Sequence, residues 1–166
     1  MVLIEVTGLP APKGSPNVVT HRRAKGGERV PLPFPKVLPD SERTVSWANA
    51  VTNAAVEAMR RGHEMFVGQA LRVVMEFRFK RPAGHYGKNG LKPSAPEYPA
   101  VRPDSSKLAR TTEDALEGVV FDNDARIVEE VLRKVYCRPG QTPGAVITVE
   151  VMRHALELFV GEAARR

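Results

Sequence analysis

The sequence predicts an α+β fold in which a mixed β-sheet carries helices packed against it. Residues 2–6, 70–80 and 145–152 alternate apolar with polar side chains or are rich in β-branched ones, as half-buried strands do. Residues 41–62 and 105–117 instead space their apolar side chains three and four apart, as amphipathic helices do. With 166 residues and 42% hydrophobic content, the chain can close one core without staples and reads as a single domain over 1–166.

Taken in order, the first strand runs into LPAPKGSP, a stretch of turn-forming residues. His21, Arg22, Arg23, Lys25 and Arg29 surround Gly26–Gly27 and predict a flexible basic arm. PLPFPKVLP is punctuated by proline and should be extended. Asp40 or Ser41 can cap a helix whose Trp47, Val51, Ala55 and Ala58 share a face and which stops at Gly62. In the strand over 70–80, Val73, Met75, Phe77 and Phe79 point one way, and Glu76, Arg78 and Lys80 the other. Residues 81–103 follow as a long Gly- and Pro-rich loop that mixes cations with aromatics, and a mobile nucleic-acid clamp is expected there. The second helix turns Leu108, Thr112, Ala115 and Leu116 toward the core, with Gly118 as its stop. Residues 127–136 stay open between helix and strand, because their apolar pairs have helical spacing while their β-branched content favours a strand. A strand over 145–152 and a short amphipathic helical tail over 154–166 close the chain.

Several function classes are excluded or disfavoured. A single cysteine, Cys137, rules out an internal disulfide and fits a reducing compartment. No apolar run approaches the roughly 18 residues of a membrane span, and the N-terminus lacks a signal-peptide pattern, so a cytoplasmic location is expected. His21, His63, His85 and His154 have no zinc-ligand spacing. Ser105 and Ser106 have no nearby His-Asp support for nucleophilic catalysis. The glycines fit neither a P-loop nor a dinucleotide fingerprint, so no small-molecule organic cofactor is expected.

The charge distribution is more informative than the net +6. Residues 72–110 hold nine Lys/Arg against three Asp/Glu, whereas residues 113–130 hold one against seven. A basic strip feeding a knot of carboxylates joins two chemistries. Cations hold a polyanion near, and carboxylates hold the hard divalent metal that attacks its phosphates. Mg²⁺ takes one or two carboxylates together with phosphate oxygens, so a helix entrance and a turn can share one ion. Asp114 lies about 15 Å along a helix axis from Asp104, which makes it an auxiliary acid; if the helix starts later or a dimer brings in a partner's residue, Asp114 or Glu113 could substitute as a ligand.

The run Arg102-Pro103-Asp104, Lys107-Leu108-Ala109-Arg110, Asp114-Ala115-Leu116, Gly118-Val119-Val120 and Asn123-Asp124-Ala125-Arg126-Ile127 resembles the RusA family of Holliday-junction resolvases. Pro12-Lys13-Gly14 after the first strand is similar to that family's opening, and the resemblance covers most of residues 1–152. It implies a RusA-like homodimer found in bacteria or bacteriophages, cutting branched DNA such as a four-way junction or fork with Mg²⁺, for which Mn²⁺ can substitute. Carried over by position, it implies Asp104 and Asp124 as catalytic metal ligands and Arg110 as a basic residue aiding catalysis, while Asp114 joins the catalytic and metal-ligand candidates from its helix position as an auxiliary acid. Lys13, Arg22, Arg23, Arg81, Lys88, Lys92, Arg102, Lys107, Arg110 and Lys134 are the expected DNA contacts. Two positions depart from the family pattern, since Ser106 and Asn123 stand where it has aspartates.

Blander readings accompany these. Capping alone would account for Asp104, and Asp122-Asn123-Asp124 is ordinary turn composition. Glu113, Asp114 and Glu117 could be a solvated helix face, where an Arg110–Asp114 pair contributes only about 0.3–0.5 kcal/mol. The rival function is a branched-DNA-binding protein that has lost cleavage through Ser106.

Overall fold

The computed structural model describes residues 1–13, 18–37 and 41–152. The expected tail over 154–166 and Asp40 as a cap lie outside the described residues. The central feature is a four-stranded sheet made of β1 (Val2–Thr7), β4 (Leu71–Phe79), β7 (Ile127–Tyr136) and β8 (Gly144–Val151), in the order β1-β8-β4-β7. β8 is antiparallel to both β1 and β4, and β7 runs parallel to β4, so the sheet is mixed as the pattern predicts.

Two helices, α1 (Glu42–Met59) and α2 (Ser105–Leu116), cover one face. Alternation dictates that face: Val2, Ile4 and Val6, then Ala145, Ile147 and Val149, then Val73, Met75 and Phe77 are all buried beneath them. Each fully buried apolar side chain contributes about 1.5–3 kcal/mol, which outweighs helix propensity as the reason α1 and α2 sit here. Trp47 of α1 is buried against Phe77 with ring centroids 6.4 Å apart. Its indole Nε1 donates to Thr112 Oγ1 at 3.2 Å, and that hydroxyl donates to Leu108 O at 2.9 Å, so the polar edge of the ring locks α1 to α2. Ser41 caps α1, its hydroxyl accepting from Thr44 N at 3.3 Å. Thr44 Oγ1 donates to Pro12 O at 3.0 Å and ties the N-terminal segment to the helix. β1 closes tightly on β8 at Gly144, where a Cβ would collide with the Val6 carbonyl.

One expectation is corrected, one segment gains local structure, and one open segment is resolved. The stretch expected to be a flexible basic arm is instead a hairpin of β2 (Val18–Arg23) and β3 (Arg29–Val37), closed by a turn in which Ala24 N donates to Glu28 O at 2.9 Å. Proline is tolerated because Pro31, Pro33 and Pro35 occupy alternate positions of a strand with one partner, which leaves the intervening N–H groups for the ladder. The loop over 81–103 is not structureless. It contains a 3₁₀ turn (Ala83–His85) and a small hairpin of β5 (Tyr86–Gly87) and β6 (Gly90–Leu91). The open segment 127–136 is a strand, because parallel pairing along the whole of β4 outweighs its helical apolar spacing. Among the described residues no helix is long and apolar enough to cross a membrane.

Candidate active site along α2

α2 crosses the sheet beside β7, and the two elements together arrange the acidic candidates and the cations nearest them. Paired residues of a parallel ladder project to the same face. Glu130, Leu132 and Lys134 of β7 therefore continue the buried rows of Val73, Met75 and Phe77 on the helix-covered side. Two charged groups thus enter beside α2, Glu130 along its C-terminal half and Lys134 at its entrance.

At the entrance, Lys134 Nζ donates to Val101 O at 2.7 Å and to Pro103 O at 2.9 Å. This holds the segment through the cis Arg102–Pro103 peptide against the sheet. Asp104 is the N-cap residue by backbone conformation, yet its side chain makes no capping hydrogen bond. Capping therefore does not account for it. Its carboxylate stands exposed, 3.5 Å from Lys107 Nζ. Pro12, Lys13, Arg102, Pro103, Asp104 and Lys107 line an open cavity of about 410 Å³ there. Three cations thus line the cavity with Asp104, and one of them, Lys13, also pairs with Asp114.

Toward the other end of α2 the sign of the charge reverses. Glu113 is half-buried, and its carboxyl is pushed up to about 8, first by burial, then by a shared hydrogen bond with Glu130 and by the charges of Glu130, Asp124 and Asp114. Two carboxyl groups that share a hydrogen bond hold a proton between them. Asp114 is partly neutralised by Lys13, whose Nζ lies 2.6 Å from its Oδ2. Asp124 opens a 3₁₀ turn (Asp124–Arg126) capped by Asn123, whose Oδ1 accepts from Ala125 N at 2.9 Å. Asp122 is engaged elsewhere, pairing with Arg126 at 3.2 Å, and its carboxyl is lowered mainly by that guanidinium. The turn reading thus holds for Asp122 and Asn123. Among the described residues Asp124 has no ion pair.

The structure therefore brings Asp114 and Asp124 together around Glu113, and it places Asp104 at the other end of the helix. Nine residues of α-helix from Asp104 to Glu113 span about 13 Å. Among the described residues no three acidic or histidine side chains are drawn to one point as an assembled ion site would need. The oxygen-only donor set around Glu113 nonetheless suits a hard divalent cation, which would relieve the crowding that raises that carboxyl. Sequence reasoning treated Glu113 only as a substitute ligand and missed Glu130. The signal for Glu130 was its parity with Leu132, but that signal exists only once 127–136 is a strand.

The expected DNA contacts divide into groups. Lys13, Arg102 and Lys107 line the cavity, and Arg110 is exposed on α2. Arg22 and Lys88 are exposed on the β2–β3 hairpin and the turn after β5. Arg81, Lys92 and Lys134 are engaged with backbone carbonyls: Arg81 with Pro96 and Glu97, Lys92 with Gly84, and Lys134 as above. Arg23 lies on β2, and nothing further is described for its side chain. No curated protein matches the chain. The family model of Endodeoxyribonuclease RusA matches residues 11–150, and with that span this chain belongs to the RusA endodeoxyribonuclease family.

Proposed function

We propose that this chain is a divalent-metal-dependent endonuclease that cuts Holliday junctions or related branched DNA as a homodimer, with Mg²⁺ as the ion and Mn²⁺ able to replace it. The observation that carries the reading is the crowding of Glu113, Asp114, Asp124 and Glu130 near one end of α2, with a cationic cavity at the helix entrance. In this reading Asp124, Asp114 and the two glutamates hold the ion. Bound there, it would supply an activated water and neutralise charge on the scissile phosphate.

The chain's own residues do the rest. Lys13, Arg102 and Lys107 bind the phosphate backbone and fix its register, and Arg110 stabilises the charge that develops on the phosphate. Ser106 lacks the family's carboxylate. Glu113 lies seven residues on, nearly the same stripe of the helix, and returns one acidic group to that side. Asp104 reaches the ion through the dimer. Two antiparallel copies of α2 across a two-fold axis set the entrance of one beside the C-terminal half of the other. Selection rests on DNA shape, since the cations of this surface carry no base-reading pattern.

A labelled four-way junction incubated with the protein, with and without Mg²⁺ or Mn²⁺, tests the reading. Metal-dependent nicking is expected, with loss of at least a hundredfold in Asp124→Asn while junction binding persists. Tight, salt-sensitive binding with no nicking under any metal would instead establish the second reading, a branched-DNA-binding protein without cleavage, which the uncharged Ser106 favours.

A further inference from the structure

A second cavity, of about 160 Å³, adjoins the cationic one, and the two share Arg102 and Pro103 as a common wall. Its other walls are mostly flat and apolar, formed by Phe79, Pro82, Pro99, Val101 and Tyr136 together with Lys80. At about half the roughly 300 Å³ of the smallest drug-sized pockets, it has room for one ring system and little more. The walls are already fixed. Arg81 lies 4.1 Å from the centroid of the Tyr136 ring and donates to Pro96 O at 2.7 Å, while the His85 ring meets Tyr136 edge-on at 5.6 Å. Lys134 holds the Val101 and Pro103 carbonyls in the same way. An aromatic ring immobilised before binding loses little freedom when another ring stacks in the cavity.

A phosphate-binding hollow joined to a ring-sized apolar slot has the polarity of a nucleotide. We infer that the slot is a nucleobase pocket, taking one unstacked base from the DNA strand whose phosphates lie on Lys13, Arg102 and Lys107. This rests on the reading of the chain as a nuclease of branched DNA, where bases at the branch are the cheapest to unstack. The pocket would fix which nucleotide of the branch sits beside the acidic cluster, and so would set the position of the cut.

Four-way junctions carrying one abasic nucleotide at successive positions near the branch are titrated against the full chain in chelator. At one position, loss of the base should weaken wild-type binding by roughly five- to 150-fold, the range of base–aromatic stacking. The same loss should cost nothing in Val101→Trp, which fills the slot from an exposed wall position, or in Tyr136→Leu. Should Tyr136→Leu fail to fold, Val101→Trp alone decides. Wild-type binding that is salt-dependent yet indifferent to every abasic position, or equally sensitive in the variants, overturns the pocket and leaves the nuclease reading standing. A chain that binds no junction at all removes both.

Discussion

Glu113 sits where the chemistry of the site is most exposed to test. Its carboxyl is raised to about 8 from an ordinary value of 4.5, chiefly by burial and then by Glu130, Asp124 and Asp114. In the metal-free protein the native state therefore keeps a proton that the unfolded chain has already lost. Stability should fall as pH rises from about 4.5 to about 8 and level off above it. With solvent screening of a partly exposed group, the fall should be on the order of 1–2 kcal/mol. Thermal unfolding in chelator between pH 5 and 9 measures it, and Glu113→Gln should remove most of the slope. Mg²⁺ should flatten the same profile, because binding to the cluster displaces the shared proton. An unchanged profile in Glu113→Gln would show that the carboxyls do not interact. The identities of Asp104, Asp114 and Asp124 were legible because they stand in one ordered motif. Glu130 was not, since its meaning comes from the residue opposite it, Val73, more than fifty positions earlier.

The elements that hold these side chains were legible where one segment carried its own signal. Trp47, Val51, Ala55 and Ala58 announced α1, and the alternation from Val73 to Phe79 announced β4. Legibility failed where pairing decided the outcome. The β2–β3 hairpin and β7 both depend on ladder hydrogen bonds that no single segment reveals. Lys134 shows the consequence. On an undetermined segment it reads as a phosphate contact, whereas on β7 its ammonium donates to two carbonyls ahead of α2. Lys134→Met should therefore lower stability by about 1–2 kcal/mol and slow nicking by loosening the α2 entrance. It should leave the salt dependence of junction binding unchanged, whereas Lys107→Met should reduce the log–log slope by about one unit. If Lys134→Met reduces the slope as Lys107→Met does, its ammonium faces phosphate in the complex and the anchoring role is secondary.

At the scale of the molecule, the proposed reaction has to draw on two carboxylates at opposite ends of one helix. Asp104 and the Glu113 cluster are about 13 Å apart along α2, a separation that no rotamer closes within a chain. In a two-fold dimer each site can take Asp104 from one copy and Asp124 from the other. This arrangement predicts complementation. Asp104→Asn and Asp124→Asn should each be inactive as homodimers. In a mixed dimer one site carries both substitutions, while the other keeps Asp104 from the Asp124→Asn copy and Asp124 from the Asp104→Asn copy. Mixing the two proteins under subunit exchange should therefore restore nicking to about a quarter of the wild-type rate. That follows because half of the dimers are mixed and each mixed dimer keeps one of two sites. The restored product should be nicked on a single strand rather than on two opposed strands. If each site were built from one chain, both sites of the mixed dimer would carry a substitution and no activity would return. Nicking assayed on a junction labelled on each strand in turn separates these outcomes. A silent mixture, with exchange verified by differently tagged copies, would show that no site is shared between copies, whereas an Asp104→Asn homodimer that nicks would place Asp104 outside the chemistry and leave the ion to the cluster around Glu113.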